Sequence, residues 1–138
     1  MKAIVNGRIL LPEREIDGRV LLFDEKIVGI ADKVPDGCGV IDAKGRYVAP
    51  GLIDVHIHGY LGADASDGDM QGLRTMAAGI LRNGVTGFLP TTMTVPWPDL
   101  EKAFGTLRAF MAESQAPDFQ GAQALGCHAE GPFINPKR

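Results

Sequence analysis

The chain is predicted to be α/β: a β-layer over residues 1–47, then parallel strands alternating with helices over residues 48–138. Three observations carry this. Short stretches rich in β-branched and aromatic residues, broken by Asn-Gly and Asp-Gly pairs, fill the first third. Two later segments repeat apolar residues at helical spacing. Each of those segments stands between short apolar runs, the order that gives parallel strands joined by right-handed helical crossovers. With 138 residues, 45% hydrophobic and 22% charged, the chain is of ordinary domain size and able to bury a core.

In the first third, residues 3–6, 8–11, 19–23 and 26–30 read as strands of a small antiparallel layer. Asp24-Glu25 sits where a hairpin between the last two needs its turn, and Asn6-Gly7, Asp17-Gly18 and Asp36-Gly37 supply three further turns. The segment carries no His and no carboxylate cluster. Its expected role is structural: to bury one face against a neighbouring layer.

Residues 48–58 are mostly apolar, as in a strand buried on both faces. Met70, Leu73, Met76, Ala77, Ile80 and Leu81 then make one helical stripe, predicting a helix over residues 69–83. Asp67 or Asp69 is placed to cap its start, and Asn83-Gly84 to end it. Residues 85–90, followed by Thr91-Thr92, read as a short buried strand. Beyond Pro96-Trp97-Pro98, the stripe Leu100, Ala103, Phe104, Leu107, Phe110 and Met111 predicts a second helix to residue 114. Residues 121–127 form the third strand.

Chemistry gathers at the ends of these strands. His56 and His58 lie two residues apart, so on a strand both imidazoles project to one side, with Asp54 on the same face. Such a pair can equally be two exposed polar residues, and spacing alone does not decide. Placement does: the pair ends the first strand of the alternating region, and His128-Ala129-Glu130 puts a third imidazole and a carboxylate at the end of the third. In parallel α/β folds ligands collect at that rim. Imidazole and carboxylate together suit a divalent ion such as zinc. His128 reads either as a substrate contact, as support for Glu130, or as a structural imidazole. Thr91-Thr92 is read as the end of a strand, Asp54 as a structural pairing, and Lys137 and Arg138 as solvated charges.

The charge balance excludes other functions. Lys and Arg total 14 against 17 Asp and Glu, a formal net charge of −3, with no basic cluster. No nucleic-acid or membrane partner is expected. The first residues are too briefly apolar for a signal peptide and no run approaches a membrane span, so a cytoplasmic location is expected. Cys38 and Cys127 are isolated and are expected to be reduced.

Residues 50–58, Pro-Gly-Leu-Ile-Asp-Val-His-Ile-His, resemble the first-strand signature of the amidohydrolase superfamily. Residues 54–62, the stretch Gly-Phe-Leu-Pro-Thr-Thr at 87–92, and the block His-Ala-Glu-Gly-Pro-Phe at 128–133 with Asn-Pro-Lys-Arg behind it resemble its N-acetylglucosamine-6-phosphate deacetylase family. The resemblance implies a (β/α)8 barrel of which residues 48–138 are the first three strand–helix units, and a β-sandwich to which residues 1–47 contribute. It implies metal-dependent hydrolysis of an amino-sugar phosphate acetamide, with a homodimer as the assembled form. Glu130 matches the principal metal ligand, and His56 and His58 match the superfamily pair that holds a second ion in some members. One or two divalent ions are implied, zinc first, with iron, manganese or cobalt as alternatives. The general-base Asp and further His ligands are expected beyond Arg138, because a whole barrel takes about 250 residues. On that expectation the chain is an N-terminal portion and inactive alone. The alternatives are another amidohydrolase, such as a cyclic amidase or base deaminase, and a noncatalytic self-associating fragment. The block at residues 130–133 favours the deacetylase.

Overall fold

The computed structural model describes residues 1–135 and 137. Its chain divides into two units, Met1–Pro50 and Gly51–Arg138. The division falls after Pro50 because residues 47 and 48 still pair with a strand of the first unit. Among the described residues no helix is long and apolar enough to cross a membrane.

The first unit holds strands β1 (Lys2–Val5), β2 (Arg8–Leu10), β3 (Glu15–Ile16), β4 (Val20–Phe23), β5 (Ile27–Ala31), β6 (Gly39–Asp42) and β7 (Tyr47–Val48). They form two sheets, ordered β5-β4-β1-β6 and β3-β2-β7. The expected hairpin is present: β4 and β5 pair antiparallel around residues 24–26, where the Asp24 amide donates to the Lys26 carbonyl at 2.9 Å. The layer is nevertheless not purely antiparallel. β6 lies parallel to β1 and β7 parallel to β2. Both strands are short and β6 is exposed at all four positions, so neither carries the alternation that reveals a half-buried strand. The chain turns from β1 to β2 through Asn6, at φ 54°, and Gly7, where a Cβ would stand 2.5 Å from Val48 Cγ2. Only glycine fits there. Ala3, Val20 and Leu22 form this unit's buried centre, with Cys38 packed on its margin.

The second unit is built on β11 (Val85–Thr92), the strand with which the three other strands of its four-stranded sheet pair. β8 (Leu52–Ile57) lies parallel along one side, and β12 (Gln123–Ala124) and β13 (His128–Ala129) lie parallel along the other. A small hairpin, β9 (Gly59–Tyr60) with β10 (Ala63–Asp64), follows β8. Helix α1 (Met70–Leu81) connects to β11, and α2 (Trp97–Ser114) connects onward to β12. The third strand, expected unbroken over residues 121–127, is two short pieces that meet β11 at Gly87–Phe88 and at Thr91–Thr92.

Both helices begin and end as the residues direct. Asp69 accepts from the amides of Gln71 and Gly72, each at 3.0 Å, and caps α1. Gly84, at φ 87°, takes the left-handed turn after it. Pro96 precedes α2 and Pro98 sits in its first turn, where a missing N–H costs nothing. Leu73, Met76, Ala77 and Ile80 of α1 and Leu107 and Phe110 of α2 close on Phe88 of β11. Between the helices Arg74 clasps Glu113 with two bonds, at 2.6 and 2.8 Å. That hydrogen bonding raises the Arg74 pKa and holds the Glu113 carboxyl below its usual range.

One expectation fails here. β8 is not buried on both faces: Leu52, Ile53 and Val55 are 62%, 61% and 60% exposed. The reason is topological. β8 is hydrogen-bonded only to β11 among the described residues, and the helices bury β11 and only the end of β8, at Ile57.

Candidate metal centre

His56, His58 and Glu130 come together at the C-terminal ends of β8 and β13. His56 Nε2 stands 3.2 Å from His58 Nε2 and 3.0 Å from Glu130 Oε2, and His58 Nε2 stands 3.4 Å from the same oxygen. Among the described residues they are the group of ligand-type side chains that could hold an ion. Ligands held about 2.0–2.1 Å from zinc in a tetrahedron lie about 3.3 Å from one another. The three observed separations bracket that spacing.

Protonation sharpens the fit. His58 Nδ1 faces the Thr91 carbonyl oxygen at 3.1 Å. A carbonyl only accepts, so Nδ1 carries the proton and the neutral ring presents a lone pair at Nε2. That lone pair and the Glu130 carboxylate converge with His56 Nε2 in one spot, which a proton or a cation must occupy. Orientation of a ligand imidazole by a carbonyl on its other nitrogen is the usual support of metal sites.

His128 stands beside the group without joining it. Its Nδ1 donates to the Val55 carbonyl at 3.1 Å, and its ring lies 4.5 Å from that of His56, inclined at 63°. It ties β13 to the end of β8 through that bond, and His128 is the register partner of Thr91 on β11.

Two side chains read as merely structural touch the imidazole pair's backbone. Asp54 Oδ1 accepts from the His56 amide at 3.0 Å, and the Thr91 hydroxyl accepts from the Ile57 amide at 3.1 Å while donating to the Leu89 carbonyl at 3.1 Å. The Asp-x-His spacing was a readable signal for the first bond. Nothing local announced the second, which spans 34 residues. Thr92 is also buried, and its hydroxyl has no partner among the described residues. The Lys137 amide bonds Asn135 Oδ1, and Arg138 lies outside the described residues. Cys127, half-buried, has its thiol pKa raised by desolvation and takes no part.

Parallel strands with a His-x-His end and a facing carboxylate define a class, the metal-dependent amidohydrolases, and residues 39–122 match the model of the amidohydrolase family. The chain belongs to that family. More particular likenesses point within it. An N-acetylglucosamine-6-phosphate deacetylase of Bacillus subtilis is 40% identical over 140 residues, covering 98% of this chain and 35% of the relative. One of Homo sapiens is 40% identical over 132 residues, covering 94% and 28%. The crystal structure of the Pasteurella multocida enzyme of that name superposes with a TM-score of 0.85 at 30% identity, over 99% of this chain and 35% of that one. The chain thus spans about a third of the length of the curated relatives it matches.

Proposed function

We propose that the chain contributes the first metal ligands of a metal-dependent hydrolase that cleaves the acetamide of N-acetylglucosamine 6-phosphate, giving glucosamine 6-phosphate and acetate. The observation that carries this is the convergence of His56, His58 and Glu130 on one spot at the rim of a parallel sheet. Its two nitrogens and one oxygen suit zinc first, with iron, manganese or cobalt as alternatives and one or two ions held. The amidohydrolase fold, a (β/α)8 barrel with a β-sandwich, accounts in this reading for the strand–helix order of residues 48–138 and the sheets of residues 1–47. The assembled form is a homodimer in this reading.

A divalent cation bound there would supply Lewis acidity toward the amide carbonyl and lower the pKa of water to about 7. The chain's own residues set the stage for that. His56 and His58 offer Nε2, Glu130 offers Oε2, and the Thr91 carbonyl keeps the His58 proton on Nδ1, away from the shared spot. The leaving amine needs a general acid that has first acted as base. That role falls to an Asp beyond Arg138 in this reading, and the deacetylase is distinguished from other amidohydrolases by its sugar-phosphate substrate.

Joining residues 1–138 to the remaining part of the Bacillus subtilis deacetylase tests the proposal. The hybrid should release acetate from N-acetylglucosamine 6-phosphate, and Glu130→Gln should lower kcat/KM by more than the roughly 10–100-fold that loss of an outer-shell partner costs. Residues 1–138 alone should release none. A folded, metal-loaded hybrid without turnover, or turnover indifferent to Glu130→Gln, would sink the reading.

A further inference from the structure

The ladder between β8 and β11 is irregular in two places that compensate each other. Leu52 and Ile53 face Val85 and Gly87, so β11 carries one extra residue there; Asp54 and Ile57 face Phe88 and Pro90, so β8 carries one extra residue further on. Val55 and His56 therefore share the single partner Leu89. This is a bulge in β8, and it contains a proposed ligand. Bulges bend a strand, re-aim its side chains and withdraw backbone groups from the ladder. Each withdrawn N–H needs another partner, because an unpaired buried one is costly.

We propose that Asp54 and Thr91 are positioning residues that hold this bulge, and through it the aim of His56 and His58 at Glu130. The proposal rests on reading those three residues as a cation site. The amide of His56, inside the bulge, donates to Asp54 Oδ1 at 3.0 Å. That of Ile57, just past it, donates to Thr91 Oγ1 at 3.1 Å. The Thr91 hydroxyl gives its own proton to the carbonyl of Leu89, the residue opposite the bulge, so its lone pairs are left for Ile57. Its backbone carbonyl accepts from His58 Nδ1. One buried threonine thus bears on the residue between the two imidazoles and on one of the rings. Thr91 is fully buried, so no water replaces its hydroxyl. Valine in its place would strand the Ile57 amide.

The test uses two matched pairs in the 138-residue chain, Thr91→Val against Thr91→Ser and Asp54→Ala against Asp54→Asn. Serine and asparagine keep the acceptor oxygen; valine and alanine remove it. Zinc affinity, measured by competition with a chromophoric chelator, should fall about 10–100-fold in Thr91→Val and Asp54→Ala and stay near wild type in the other two. In the metal-free chain, amide exchange at Ile57 should quicken in Thr91→Val and at His56 in Asp54→Ala, again spared by Ser and Asn. Equal affinities within each pair overturn the proposal, and if Thr91→Val does not fold, the Asp54 pair decides. Should the wild-type chain bind no zinc, the reading of His56, His58 and Glu130 as a cation site within this chain fails and the positioning claim stands or falls on the amide exchange alone, while the deacetylase reading is decided separately by the hybrid.

Discussion

At the scale of single residues, the site is a contest between two accounts of three converging donors. A purely hydrogen-bonded cluster needs one proton shared among His56, His58 and Glu130; a metal centre needs their lone pairs. The accounts part under substitution. Glu130→Gln keeps the shape and the hydrogen bonding but removes the anionic ligand, and His58→Gln removes a ring whose tautomer Thr91 has set. Isothermal titration with zinc should show each losing more than about 100-fold in affinity, beyond what an outer-shell change costs. A wild-type chain that binds zinc no better than Glu130→Gln contradicts the metal account. Alternation placed His56, His58 and Glu130 on the rim from sequence alone. The bulge that turns them toward one another stayed hidden, because it depends on the register between β8 and a strand some thirty residues away.

At the scale of elements, legibility followed the strength of the local signal. Helix α1 declares itself by an apolar stripe, the Asp69 cap and Gly84, and α2 by its stripe and prolines; both stand within two residues of their expected ends. β6, β7 and β3 are two to four residues long and mostly exposed, and their pairing comes from the path of the chain, not from their own composition. What the helices contribute is a dry clamp on β11, which fixes the strand that carries Thr91. Phe110 is fully buried at its centre, with ring centroids 6.4 Å from Phe88 and 5.7 Å from Phe119. Phe110→Ala leaves a cavity and should destabilise this unit by about 3–5 kcal/mol. Asp69→Ala loses two amide acceptor bonds at an exposed helix end and should cost only about 1 kcal/mol. Urea unfolding followed by far-UV circular dichroism measures both, and an Asp69→Ala effect equal to that of Phe110→Ala would show that the core is not where the stability of this unit lies.

At the scale of the whole molecule, the sheet of the second unit has a side that its own helices do not cover. Leu52, Ile53 and Val55 are exposed along β8, an edge strand among the described residues, and Phe133 is 93% exposed beyond β13. An apolar strand with an unpaired edge is a template for another strand, and a net charge of −3 gives little repulsion against it. Burying the side chains of three such residues is worth at most about 1.5–3 kcal/mol each, which works against the entropic cost of association and favours a weak, concentration-dependent one. The 138-residue chain should therefore sediment as a concentration-dependent mixture of monomer and larger species. Leu52→Thr with Ile53→Lys leaves the ligands, the bulge at Val55 and His56, Asp54 and Thr91 untouched, places a charge on the edge and removes apolar area. The double variant should shift the weight-average sedimentation coefficient to that of a monomer while zinc affinity stays as it was. Wild-type chain that remains monomeric across the same concentrations would mean that the exposed face is too short or too twisted to pair, and that self-association is no part of its behaviour.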